Sequence, residues 1–311
     1  MNKTYKTNFL VLGVPKAGTT SLYEYLKEHP QIYLPSKKEL HHFSYSLISQ
    51  RTQGPGDKDV LRELTKEPDQ YQKLYTGVTS KHKVIGEISP SYYYFINKIG
   101  TDLKNKMSEN PKVCIILRNP IYRTYSNYKH QVRMGYEKES FDVALKNEEK
   151  RTEYGYGDFW MYKKHSFYAE NLRQTIKIFG KENTKVLIFE EFIQEPHKSL
   201  IELFDFLEVD SEFKPDSLRK VFNEGGGYNN NMLSRFLLQP NKFKNWFKKI
   251  VPKNLLNKLT GFKSSYLSKN SKKFQSMDET MINELVQFFK EDVNQVKSIL
   301  NNRIDVWDEF K

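Results

Sequence analysis

The residues of this chain with the clearest chemical potential form a short loop, Gly13-Val14-Pro15-Lys16-Ala17-Gly18-Thr19-Thr20-Ser21, between an apolar run and a helical pattern. A strand that runs into a glycine-bearing loop and then a helix start gathers backbone N–H groups and the positive helix end at one point, which suits a phosphate. The triphosphate-binding pattern G-x-x-x-x-G-K-[ST] places its glycines at the separation of Gly13 and Gly18, but Thr19 stands where its lysine would be. The only lysine, Lys16, lies inside the loop. A triphosphate site also needs a carboxylate near a second strand end to hold Mg²⁺. Here the second apolar run, Val113 to Leu117, ends in Arg118. A cation in that place points to a second, metal-free phosphate site.

These residues require elements to position them. Phe9 to Gly13 reads as a buried strand, followed by the loop and a helix from Ser21 to about His29 that Pro30 stops. Lys83 to Glu87 and Lys112 to Arg118 read as further buried strands, the second passing through Asn119-Pro120 into a helix from about Ile121 to Met134. Helical spacing over Tyr168 to Phe179, a strand over Lys185 to Phe189 and a helical period over Pro196 to Leu207 continue the alternation. The last helix, Asp278 to Leu300, sets Met281, Leu285, Phe288, Phe289, Val293 and Val296 on one side. Strands alternating with helices predict an α/β fold, one domain over residues 1–311, with a central parallel sheet flanked by helices. Ser49 to Gly56 and Gly225 to Asn231 are rich in turn formers and read as loops.

Composition narrows the function classes. With 38% hydrophobic and 28% charged residues the chain has a globular profile, and none of its apolar runs is long enough to cross a bilayer as a helix. Residues 1–8 carry no secretory apolar core or cleavage site, so a cytoplasmic protein is expected. The single cysteine, Cys114, sits in an apolar run and reads as core filler, not a nucleophile. The formal net charge of +12 is concentrated in residues 225–277, a segment with Arg235, ten lysines and no Asp or Glu. That basic, acid-free segment reads as an insertion or lid. Its stretch 241–273 begins by interleaving lysines with Phe243, Trp246 and Phe247, which suits peripheral contact with a membrane or an anionic polysaccharide; no nucleic-acid partner is expected.

Phe9 to Leu22 resembles the 5′-phosphosulfate loop of the sulfotransferases that use 3′-phosphoadenosine 5′-phosphosulfate (PAPS), and Leu117-Arg-Asn-Pro-Ile-Tyr-Arg-Thr-Tyr-Ser126-Asn-Tyr128 resembles their 3′-phosphate motif. The resemblance extends through Tyr168-Ala-Glu-Asn-Leu172, Phe189-Glu-Glu-Phe192, Phe204-Asp-Phe-Leu207 and the final Asp278 to Trp307 region, and is weakest over 46–81 and 225–267. It implies a P-loop-like sulfotransferase architecture, PAPS as sulfuryl donor, adenosine 3′,5′-bisphosphate (PAP) as product and no required metal. It further implies that Lys16, Ala17, Gly18, Thr19, Thr20 and Ser21 hold the 5′-phosphosulfate, that Arg118 and Ser126 hold the 3′-phosphate, and that Lys269, Lys272 or Lys273 closes over the nucleotide.

Sulfuryl transfer, like phosphoryl transfer, asks the enzyme to position reactants, stabilise the leaving oxygen and take a proton from the acceptor. Lys16 is the candidate for the leaving oxygen. Ser36-Lys-Lys-Glu39-Leu-His41-His42-Phe43 resembles the Glu-x-His-Phe segment of the glycan-modifying branch, in which the glutamate is the base, so Glu39 is the first candidate with His41 beside it. Gly86-Glu87-Ile88-Ser-Pro90 resembles the family's active-site turn and makes Glu87 the reserve base; Ile88 stands where some glycan sulfotransferases carry a lysine. Two histidines and a carboxylate also suggest a metal, but no second His or Cys cluster supplies further ligands, and none is expected. The aromatic stretch Tyr154 to Tyr162 reads as core or as a platform for sugar rings. The acceptor implied is a glycan, glycolipid or small hydroxyl compound, taken at a hydroxyl or an amine. The same residues leave two other classes open: a P-loop kinase or NTPase, and an inactive nucleotide-dependent module that binds anions or membranes.

Overall fold

A five-stranded parallel sheet forms the frame, in the spatial order β2-β3-β1-β4-β5. Its strands are β1 Phe9–Gly13, β2 Ile32–Tyr33, β3 Val84–Ile88, β4 Lys112–Leu117 and β5 Thr184–Ile188. The structure, a computed structural model, describes residues 5–219, 227–228, 271–272 and 274–311. β1 lies between β3 and β4, with Phe9 opposite Gly86 on one side and Lys112 on the other. Phe9 to Leu12 and Val113 to Leu117 are wholly buried. Strands covered on both faces read as uninterrupted apolar runs, which is why these two stand out in the sequence. Cys114 lies among them, and burial pushes its thiol up to about 12, so it is inert filler.

The strand order has a functional consequence. From β1 the chain moves to β2 and β3 on one side of the sheet, then crosses to β4 on the other side. The loops after β1 and β4 therefore diverge and leave a crevice at the carboxyl ends of the strands. Helices Thr19–Glu28 and Pro120–Arg133 start at those two ends. The second begins where expected because Pro120 occupies its first turn and the Asn119 side chain accepts a hydrogen bond from the Ile121 amide at 3.0 Å.

Helices Ala169–Phe179, Pro196–Leu207 and Glu279–Ile299 follow the predicted segments to within a residue or two. Asp278 caps the last one by accepting from the Met281 amide at 2.8 Å. On it, Leu285, Phe289, Val293 and Val296 are buried as expected, whereas Phe288 is 46% exposed and sits beside the half-buried stripe. Ser49 to Gly56 is irregular, as its turn formers predict. β6 Gly227–Tyr228 and β7 Ser271–Lys272 form a two-stranded antiparallel sheet, in which Lys272 pairs with Gly227. Lys273 and the greater part of the basic segment 225–277, including 241–270, lie outside the described residues. No helix among the described residues is long and apolar enough to cross a membrane.

The C-terminal segment braces the strand ends. The indole N–H of buried Trp307 donates to Glu190 Oε2 at 2.9 Å, and Glu190 Oε1 accepts from the Asn119 amide at 3.1 Å. The Asn119 side chain in turn donates to Glu309 at 2.8 Å. One carboxylate thus joins the end of β4, the helix after β5 and the last turn of the chain. Replacing Trp307 with Phe keeps an apolar plug but takes the donor from a part-buried carboxylate oxygen, a loss of about 1–3 kcal/mol. Trp307→Phe is expected to lower the unfolding free energy by that amount in urea titrations; an unchanged midpoint would remove this bond from the structural account.

Candidate active site

The crevice at the ends of β1 and β4 is a cavity of about 760 Å³. Its first wall is the loop after β1. Two glycines permit its shape: a Cβ on Gly13 would stand 2.9 Å from the Pro90 carbonyl oxygen and from Tyr93 Cβ, and Gly18 adopts φ 83° with the Phe189 ring 3.1 Å from where a Cβ would be. Gly18 opens the Thr19–Glu28 helix, whose first-turn amides have no intrahelical acceptors. Lys16, Gly18, Thr19, Thr20 and Ser21 border the cavity. Ala17, expected beside them, is wholly buried and does not border the cavity.

The opposite wall comes from the end of β4. Arg118 lines the cavity, donates from Nη1 to the Lys16 carbonyl at 2.9 Å, and lays its guanidinium over the Phe189 ring with 4.4 Å to the centroid. Its Nε is buried without a hydrogen-bond partner among the described residues. Ser126 borders the cavity from the Pro120–Arg133 helix, and so do Lys129, His130 and Arg133. Positions 126, 129, 130 and 133 share one helical face, and that spacing is the signal by which the last three could have been found in the sequence. Arg123, fully buried on the same helix, donates to the Tyr162 carbonyl, the Ser166 hydroxyl and, at 3.4 Å, the Pro15 carbonyl, so a cation also stands behind the loop.

Crowded positive charge in a buried setting is the main electrostatic fact here. Burial, reinforced by Arg133 and opposed by Glu39, pushes the Lys16 amine down to about 8. Burial also lowers Arg118, and burial together with Lys16 and Arg133 pushes the His130 imidazole down to about 3, so that ring is neutral. A bound polyanion would relieve each of these penalties.

Glu39 and His41 border the same cavity from the segment after β2. Glu39 takes the left-handed φ 60°, donates its amide to the Ile88 carbonyl at 3.1 Å, and leaves its side chain 40% exposed. Lys38 Nζ donates to Glu39 Oε1 at 2.6 Å and also to the Thr20 and Thr19 hydroxyls at 3.0 and 3.4 Å. His41 Nε2 lies 3.9 Å from Glu39 Oε2, while Nδ1 shares a 2.6 Å hydrogen bond with the Ser91 hydroxyl. Burial opposes ionisation of Glu39, but His41 and the Lys38 ammonium outweigh it and hold the carboxyl well below the usual carboxylate range.

Glu87, the reserve base, is placed elsewhere. It is 2% exposed and does not border the cavity. Its oxygens accept from the hydroxyls of Tyr71, Tyr92 and Ser89 at 3.0, 3.1 and 3.0 Å, and burial pushes it up to about 7 against those bonds. Ser89 Oγ also accepts from the His41 amide at 3.1 Å, so Glu87 supports the wall that carries His41. Of the aromatic stretch, Trp160 and Tyr162 are core, Tyr154 is 62% exposed, and Phe159 borders the cavity. The Lys272 backbone belongs to β7; its side chain, like all of Lys273, lies outside the described residues. No group of three or more His, Cys, Asp or Glu among the described residues is arranged to hold a metal ion.

Residues 8–214 match the family model described as "Sulfotransferase family". The membrane-associated sulfotransferase kil1 of Dictyostelium discoideum is 34% identical over 129 residues, which cover 40% of this chain and 23% of that protein. The match thus spans less than a quarter of that relative's length. The crystal structure of a sulfotransferase from Alicyclobacillus acidocaldarius superposes with a TM-score of 0.75 at 27% identity, over 98% of this chain and 99% of that one.

Because burial and neighbouring cations lower Lys16 to about 8, its amine should become reactive at a lower pH than an exposed lysine. Competitive acetylation followed by peptide mass spectrometry is expected to show the Lys16 rate rising through about pH 8. Titration together with the exposed lysines would contradict the electrostatic description.

Proposed function

The chain belongs to the sulfotransferase family, and from that premise we propose that it transfers a sulfuryl group from PAPS to a hydroxyl or amine of an acceptor, a carbohydrate in the reading we favour. The single observation that carries the donor assignment is the pairing of two part-buried cations, Lys16 after β1 and Arg118 after β4, joined through the Lys16 carbonyl across one cavity. Two separate cationic positions suit a nucleotide with phosphate at both its 5′ and 3′ ends. Arg118 stands where a magnesium-dependent NTPase needs a carboxylate, which disfavours a kinase.

The residues present fit the donor: an unpartnered guanidinium nitrogen, a helix start with free amides, and hydroxyls at Thr19, Thr20 and Ser21. In this reading the loop from Lys16 to Ser21 holds the 5′-phosphosulfate, and Arg118 with Ser126 holds the 3′-phosphate. PAPS supplies an activated sulfuryl group on a phosphate leaving group. Lys16 neutralises the charge that develops on the leaving phosphate oxygen as the acceptor's bond to sulfur forms. Glu39, ionised throughout the neutral range, takes the acceptor's proton, and His41 holds the far side of that carboxylate.

Lys38 gives the base a dependence on the donor. Its ammonium is shared between Glu39 and two hydroxyls of the phosphate loop. An anion at the loop competes for that ammonium, and a carboxylate that loses its ammonium partner binds a proton more tightly. Glu39 thereby becomes a stronger base when the donor site is filled.

Calorimetry with PAP in the presence of EDTA tests the donor site, and binding without Mg²⁺ is the expected result. Arg118→Ala should weaken it by about 10- to 100-fold, the equivalent of one hydrogen bond to a charged group at about 1.5–3 kcal/mol. Affinity should also fall as pH rises above about 8, where empty-site Lys16 loses the proton that the complex retains. Glu39→Gln should keep PAP affinity and lose about 100-fold or more in transfer of labelled sulfate from PAPS. Unchanged affinity in Arg118→Ala, or binding of Mg-ATP instead of PAP, would sink the donor assignment; retained PAP binding with no transfer to any acceptor would support an inactive module.

A further inference from the structure

One wall of the cavity carries polar groups that neither the phosphate cradle nor the base uses. Asp158 and His165 border the cavity from the irregular stretch between helices Glu148–Glu153 and Ala169–Phe179, which carries none of the cradle residues. Both are more than nine-tenths buried, at 7% and 8% exposure. Asp158 Oδ2 and both His165 ring nitrogens have no hydrogen-bond partner among the described residues, and solvent does not reach them. Three orphaned atoms on two residues that border one cavity are a concentrated defect, since native interiors leave few such atoms and each costs about 1–3 kcal/mol.

We propose that this wall, formed by Asp158 and His165 with the rings of Tyr94 and Phe159, is the acceptor subsite and takes an uncharged, hydroxyl-bearing ring. The proposal rests on the sulfuryl-transfer reading for its role in the reaction, but the ligand class follows from the wall itself. Burial pushes the Asp158 carboxyl up to about 6, opposed by Arg51 and aided by Asp57, which leaves it mostly ionised at neutral pH. Such a group only accepts hydrogen bonds and repels anions. Burial first, then the Arg123 charge, lowers His165 far below its ordinary range, so its neutral ring offers one donor and one acceptor. A sugar hydroxyl both donates and accepts, and so satisfies the ring; a second hydroxyl satisfies the carboxylate. Tyr94, whose ring centroid lies 4.0 Å from that of His165, and Phe159 supply apolar surface of the kind that sugar faces pack against. A uronate or a sulfated sugar would bring its charge against Asp158. Rotation about the His165 Cβ–Cγ bond exchanges the places of its ring carbons and nitrogens, which is how a ligand in the cavity would meet a nitrogen.

Saturation-transfer NMR on the PAP-loaded protein tests this, with methyl β-galactoside, methyl β-glucoside and methyl β-mannoside as neutral probes and methyl β-glucuronide as the charged one. At least one neutral glycoside is expected to receive saturation and the glucuronide much less. Asp158→Asn and His165→Phe should each weaken the neutral contact about tenfold, the equivalent of about 1.4 kcal/mol, with PAP affinity unchanged. His165→Gln, which keeps a donor and an acceptor, should retain most of the contact and guards against reading misfolding as lost recognition; melting temperatures check all three. Equal saturation of the glucuronide, no contact with any neutral glycoside, or contact unchanged in Asp158→Asn and His165→Phe would overturn the proposal. Failure of the parent protein to bind PAP would instead overturn the sulfuryl-transfer reading, and glycoside contact in the unloaded protein would still decide the subsite.

Discussion

The hydrogen bond from Arg118 to the Lys16 carbonyl joins residues 102 positions apart, and the candidate site depends on it. It exists because β1 and β4 are neighbours in a parallel sheet whose strand ends open into one crevice. The bond brings the two cationic side chains to one cavity, whose bordering carboxylates are Glu39, which Lys38 already claims, Asp57 and Asp158. Such crowding is destabilising by itself: burial depresses Lys16, Arg118 and His130, and neighbouring cations add to it at Lys16 and His130. A rigid frame must hold it, and the interior of the sheet, buried on both faces, provides one. Stability is given up at the site and recovered in the core, the pattern expected where local order serves binding.

The two glutamates after β2 and on β3 show how context separates similar residues. Both lie in segments that look functional in the sequence. Glu87 is enclosed by three hydroxyls and works as a foundation, tying Ser89 and, through it, the His41 amide to β3. Glu39, held in a left-handed backbone conformation, projects into the cavity beside Lys38. The spacing of charged residues cannot make this distinction, because it is set by which tyrosines pack under β3, and those come from positions 71 and 92.

The frame was legible because buried parallel strands are written as continuous apolar runs and helix ends as Pro120 and Asp278. β2 was missed: two residues at a sheet edge produce no periodic pattern. The glycine-bearing loop after β1 was legible because its residues lie in one local motif, and the helical face at 129, 130 and 133 was visible in principle from Ser126 onward. Asp158 and His165 were not, since what marks them is the absence of partners, and a sequence records only which groups exist. Phe288 illustrates the converse, an apolar residue at a plausible helical position that the fold leaves half outside.

The brace formed by Glu190, Trp307 and Glu309 has an implication for how the protein matures. The Asn119 side chain, one residue past Arg118, waits for a partner 190 positions later in the chain. Before residues 307–309 fold back, the strand end that carries Arg118 lacks two of its hydrogen-bonded anchors, the Trp307 bond to Glu190 and the Asn119 bond to Glu309.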